Sequence, residues 1–390
     1  MNVERSDYES QQSEFDGKGG ITFAKACFNL LNALSGIGIL AVSYALSETG
    51  WMSLLLLVLV AIIAGYTASL LIRCMQVDPK IQAYPDIANI AFGHKGKIFV
   101  SIALCLSMYM IAVEQLIIEG DNLENMFPNI SLRLGQLKIE GRKAIVLISS
   151  LIILPTVWLR GLGPLAYVSA CGFLAPMLIM GSVVWVGLFD GVGFHPRKRL
   201  FSINGLPTTA SIFAFCFSAH GVLPTISASM KDKSKSMRVI IVCFTTAALS
   251  YAIMAVSGYL MYGQEVKSQI TLNLPKGKVS SKIAIYTIIT IPIVKYAIIV
   301  TPIVVAVEEA VPICKRIALS LLFRTMLVAS TAIVAITVPF FGYLLALGGS
   351  ALSSTLNFVE LGIIVGIVVM SSIVAVLGTY TSMKRILQHL

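Results

Sequence analysis

Along this chain apolar residues come in blocks of about twenty, parted by short polar stretches rather than spaced at the period of an amphipathic helix on a soluble core. A helix needs roughly 20 apolar residues to cross the hydrocarbon of a bilayer. The blocks therefore predict membrane-spanning helices over 22–45, 51–74, 98–127, 143–159, 164–189, 208–229, 239–262, 283–306, 317–338, 340–357 and 360–380, about eleven in all. The third block becomes acidic at its far end (Glu114, Glu119, Asp121, Glu124) and predicts a helix that outlasts the bilayer. The longest connection, 75–97, carries "YPDIANIAFGHKGK" and predicts a short surface helix ending at Gly93. Phe340–Tyr380 is barely long enough for two spans, which confines the turn between them to roughly Asn357–Glu360.

Two blocks are interrupted alike. The first reads "NLLNALSGIGILAVSYAL", with Gly36 and Gly38 in mid-membrane, and the sixth reads "FAFCFSAHGVLPTISASM", with Gly221 and Pro224 there. Laid together, Ser35 falls on Ser218, Gly36 on Ala219, Gly38 on Gly221 and Leu40 on Leu223, an offset of five spans. Glycine and proline loosen the helical ladder, and freed N–H and C=O groups are costly in hydrocarbon unless they line a cavity or bind something. One such segment alone fits close helix packing. Two in register, five spans apart, point to a transporter's midplane site.

Composition supports a lipid-solvated protein. Of 390 residues 57% are apolar and only 12% charged, about half the usual share for a soluble domain, which excludes soluble enzymes, disordered scaffolds and coiled coils. The net charge of +10 resides in short loops between apolar blocks, as expected for juxtamembrane segments meeting lipid phosphates, and does not indicate nucleic acid. Basic residues divide almost evenly between the two faces, so they do not orient the chain. A single sequon, Asn129-Ile130-Ser131, falls on the face that an internal N-terminus places outside. The seven cysteines lie singly in or beside apolar blocks, with no metal or disulfide spacing. Residues 1–20 form an acidic tail rather than a cleavable signal.

Several polar residues fall within spans. Glu114 is an intramembrane acid, suited to proton coupling or gating, or else to a buried pair for which Lys295 is one partner. His220 sits in the sixth-span interruption, where an imidazole either relays a proton or bonds a backbone carbonyl. Lys295 either places an ammonium where a related fold holds a cation or forms a structural pair. Thr301 offers its hydroxyl to a cation or back to its own helix. Glu308 and Glu309 read as a solvated helix end, and Lys231, Lys233, Lys235 and Arg238 as a loop on lipid phosphates.

The stretches "NALSGIGILAVSYALSETGW" (32–51), "LPTVWLRGLGPLAYVSACG" (154–172), "FCFSAHGVLPTISASMKD" (215–232) and "KYAIIVTPIVVAVEEAVP" (295–312) resemble the amino acid/auxin permease family, and within it the plant vacuolar-type amino acid transporter branch. The resemblance implies an all-α polytopic fold with a five-plus-five inverted repeat and an extra eleventh helix. The units are then 1–20 (cytoplasmic tail), 21–190 and 207–357 (the repeats) and 358–390 (eleventh helix and C-terminal tail). It implies proton-coupled amino acid transport in a vacuolar or other endomembrane rather than the plasma membrane, and a cytoplasmic N-terminus. The substrate's charged groups would meet the backbone of Ser35, Gly36, Ile37 and Gly38 and of Ser218, Ala219, His220 and Gly221, with Tyr109, Ile37 and Phe213 setting side-chain preference. Glu114, His220, Lys295 and Thr301 are the coupling candidates. No cofactor is expected. A passive facilitator and an amino-acid-sensing receptor share this architecture. The motifs of metalloproteases, serine hydrolases and nucleotide-driven pumps are missing, which argues against an enzyme.

Overall fold

The computed structural model describes residues 20–77, 81, 83–128, 130–134, 137–158, 165–311, 316–338 and 341. The acidic tail up to residue 19, Asn129 of the sequon, and the tenth and eleventh spans apart from Phe341, with their turn at Asn357–Glu360, lie outside the described residues.

The first span begins where Thr22 caps the helix, its hydroxyl accepting from the Lys25 N–H at 3.4 Å. It is two helices, α1 (Phe23–Leu34) and α2 (Val42–Thr49), joined by a 3-10 turn over Ile37–Leu40. After it come α3 (Ser53–Val77) and α4 (Tyr84–Met126). Gly93 interrupts α4 at φ 68°, a left-handed conformation that glycine adopts without cost, so the surface helix turns into the third span there. Then follow α5 (Gly141–Trp158), α6 (Leu165–Phe189), and the sixth span as α7 (Leu206–Cys216) and α8 (Leu223–Ala228). The series closes with α9 (Ser236–Tyr262), α10 (Val279–Ala310) and α11 (Ile317–Thr337). Among the described residues α3, α4, α5, α6, the α7–α8 pair, α9, α10 and α11 are long and apolar enough to cross a membrane. The fold is helical, as expected for a polytopic membrane protein.

One local element departs from an all-α reading. Residues Ser131–Leu134 (β1) pair antiparallel with Leu137–Glu140 (β2), Ser131 opposite Glu140 and Leu134 opposite Leu137. The sequence alternates there, SLRL then LKIE, which is the two-residue period of a strand. Four residues a side are too few to stand out beside the long apolar blocks.

The protein is dressed for lipid. Leu55, Ile62 and Tyr66 of α3 are more than 60% exposed, while Glu114, Thr209 and Gln269 are fully buried. Helix ends in such a setting cannot rely on water for their last carbonyls. Four arginines supply the donors. Arg142 Nη2 reaches Ala335 O (2.9 Å) and Val338 O (3.3 Å) beyond α11, and Arg324 Nη1 reaches Val157 O (2.8 Å) at the end of α5. Arg197 Nη2 donates to Met261 O (2.9 Å) at the end of α9, and Arg199 Nη1 to Ser47 O (3.1 Å) at the end of α2. Positive charge at a helix C-terminus also opposes its dipole favourably. Arg142 is held in turn by Asp121 (2.6 Å), which accepts from Gln269 (2.7 Å).

Candidate functional site

Both interruptions are real breaks. α1 stops at Leu34 because Ser35 (ψ 52°) and Gly36 (ψ −163°) leave the helical region, and the Gly36 N–H turns back to Leu34 O at 2.7 Å. α7 stops at Cys216, and the chain resumes as a helix at Leu223 with Pro224 in its first turn, where a missing N–H costs nothing. The breaks touch. A β-carbon placed on Gly38 would sit 2.7 Å from Cys216 Sγ and 3.5 Å from the Cys216 Cα, so only glycine permits this approach.

Between the breaks and α4, α6 and α10 lies a cavity of about 330 Å³, at the small end of the range for ligand sites. Ser35, Gly36, Ile37, Gly38, Ser218 and Ala219 line it, and Ser218 is exposed to it. So does Lys295 of α10, whose ammonium donates to Gly172 O of α6 at 3.1 Å. The wall is otherwise mainly aliphatic, with Ile111, Ile179 and Ile299 among its members.

Its polar atoms are conspicuous for what they lack. Asn32 Oδ1, Ser35 Oγ and Gln115 Oε1, all on lining residues, are buried and have no hydrogen-bond partner among the described residues. Buried polar atoms are normally satisfied, because an unmade bond costs about 1–3 kcal/mol. Next to Gln115, Glu114 is fully buried, and neither carboxyl oxygen has a hydrogen-bond partner among the described residues. Among the described residues no ion pair joins Glu114 to Lys295, because the lysine is turned to the Gly172 carbonyl.

Other singled-out residues sit beside the cavity rather than on its wall. His220 Nε2 bonds Thr67 Oγ1 (2.9 Å) and Ala64 O (3.0 Å), fastening the sixth-span break to α3. Gly221 adjoins Leu104 of α4, and Phe213 is fully buried on α7. Tyr109 Oη donates to Ser330 Oγ of α11 at 3.2 Å, and Thr301 back-bonds to Ala297 O at 2.6 Å. Glu308 accepts from Ser320 Oγ of α11 at 2.5 Å instead of ending free in solvent.

Sequence reasoning passed over Asn29, Asn32, Ser107 and Gln115, all of which line the cavity. Asn29 and Asn32 carried a legible signal, since their spacing of three puts both on one face of α1, just before the break. Nothing in its sequence context marked Tyr251 of α9, whose hydroxyl donates to Leu34 O and lies 3.0 Å from Cys216 O.

Residues 19–359 match the family model described as transmembrane amino acid transporter protein. The chain is 43% identical to Amino acid transporter AVT1I of Arabidopsis thaliana, across 97% of this chain and 98% of that relative. It is 42% identical to Amino acid transporter AVT1J of the same plant, across 97% and 95% respectively. The Vesicular inhibitory amino acid transporter of Xenopus tropicalis is 24% identical across 88% of this chain and 69% of its own length.

Proposed function

Since the chain belongs to the transmembrane amino acid transporter family, we propose that it carries amino acids with protons by alternating access, through the cavity between its two broken spans. The proposal includes the five-plus-five inverted repeat with an eleventh helix, a cytoplasmic N-terminus and residence in a vacuolar or other endomembrane, as implied by the resemblance of stretches 32–51, 154–172, 215–232 and 295–312 to the plant vacuolar-type branch. Membership itself makes the protein a transporter rather than an enzyme.

The observation that carries the reading is that three residues lining one small cavity, where two helices have given up their backbone bonding, each hold a buried oxygen without a hydrogen-bond partner among the described residues (Asn32 Oδ1, Ser35 Oγ, Gln115 Oε1). A zwitterion has both a donor set and an acceptor set to offer such a site. Its carboxylate and ammonium groups meet the backbone of 35–38 and of Ser218 and Ala219, and the aliphatic wall receives the side chain. Glu114 is the coupling acid in this scheme. It lies behind the break and, among the described residues, has no partner to surrender when a proton arrives or leaves.

Uptake into proteoliposomes tests the proposal, using a pool of labelled amino acids with a pH gradient that is then collapsed by a protonophore. Accumulation above equilibrium that vanishes with the gradient is expected, and uptake that stops at equilibrium in both conditions would make the protein a facilitator. Glu114→Gln is expected to flatten the dependence of uptake on pH while leaving substrate affinity within about a factor of two. An unchanged pH profile would return Glu114 to a structural role.

A further inference from the structure

In an unbroken α1 the Leu34 carbonyl would accept from the N–H four residues on, and in an unbroken α7 the Cys216 carbonyl would do the same. Neither helix continues; the Leu34 carbonyl accepts instead from the Gly36 N–H at 2.7 Å, and both carbonyls are open to a side-chain donor. Both find the same one. The hydroxyl of Tyr251, from the middle of α9, donates to Leu34 O and is 3.0 Å from Cys216 O. The tyrosine is fully buried, and its ring is fixed edge-on against Phe217 at 5.3 Å. On the other side of Cys216, its sulfur occupies the space that a side chain at Gly38 would need.

We propose that Tyr251 is a positioning residue that ties the two breaks together. A phenol has one proton and two lone pairs, so it donates fully to one carbonyl at a time. While the breaks stay in contact the proton serves either, and the arrangement tolerates exchange between them. Any movement that parts α1 from α7 costs one of the two carbonyls its hydroxyl donor, and Leu34 O alone has a main-chain donor, the Gly36 N–H, to fall back on among those named here. The hydroxyl thus makes the two breaks move as a unit and sets the balance between conformations in which they touch and those in which they do not. Its part in transport rests on the carrier reading above, but the tie itself does not.

Two readouts test this on the full-length protein. In a background where Cys216 is the sole cysteine, Tyr251→Phe keeps the ring and removes the hydroxyl. Its N-ethylmaleimide labelling of Cys216 should rise about tenfold, the factor expected for losing one buried hydrogen bond. In transport, Tyr251→Phe should change the substrate KM by a similar factor with a smaller effect on the maximal rate. Tyr296→Phe, which removes another fully buried hydroxyl (bonded to Thr331) away from the breaks, is the control and should move neither. Equal labelling of wild type and Tyr251→Phe would overturn the tie, and so would an equal rise in the control. If no variant transports any amino acid, the carrier reading fails, while the labelling result still decides the tie.

Discussion

Where α2 runs beside the start of α7, Thr49 donates to Thr209 (2.7 Å), which donates to Ala45 O (2.8 Å), and Arg199 closes over the Ser47 carbonyl. The chain after α2 is also pinned, with the Met52 N–H on Leu200 O (3.0 Å) and the Trp51 indole on Arg197 O (2.9 Å). At the opposite end of the same two spans, α1 and α8 are joined by two main-chain bonds, Ile21 N–H to Ser229 O (2.7 Å) and Lys231 N–H to Ile21 O (3.0 Å). The cavity follows this inequality. Its lining runs from the breaks along Asn29, Asn32 and Ala33 of α1 to Ile226 of α8, toward the lightly bonded end. Under the carrier reading proposed above, the end at Thr49–Thr209 is the latched one and the end at Ile21–Ser229 the releasable one.

The comparison can be broken most severely at its middle. Gly38→Leu forces a branched side chain into the space of Cys216 Sγ and should abolish uptake while the protein stays folded in the membrane, as judged by its elution and thermal melt in detergent. Gly221→Leu meets only the tip of Leu104, a side chain able to swing aside, so any activity that survives should survive there. Retained uptake in Gly38→Leu would remove the contact of the two breaks from the mechanism. A sharper and smaller test sets the ends against each other. Thr209→Val strands the buried Thr49 hydroxyl and should cost about 1–3 kcal/mol of stability, whereas Ile21→Pro removes one exposed-end main-chain donor and should cost about 1 kcal/mol or less. Equal losses in thermal unfolding would mean that the two ends are latched alike.

Much of this architecture was legible because lipid enforces it. A span must be long and apolar, and a break in one must have a reason, so Ser35–Gly38 and Ser218–Gly221 stood out at once. Contacts between distant segments were not legible. Tyr251 sits in "AALSYAIMAVSGYLMY", which has the look of any packed span, and its role depends on two carbonyls contributed by other helices. The same holds for His220, whose partners Thr67 and Ala64 belong to α3, and for Lys295, which meets a glycine carbonyl rather than an acid. Side-chain type marked these residues as interesting, but only packing decided what each one touches.

The arginine caps bear on how the chain is threaded through its membrane. Counts of basic residues on the two faces are read as a vote on topology, and here the vote is nearly tied. Arg142, Arg197 and Arg199, however, all belong to the face opposite the N-terminus, and each is committed to the carbonyls that end a helix. Their positions answer a demand of helix chemistry that exists whichever way the protein is inserted. A tally that includes them therefore measures helix capping as well as orientation.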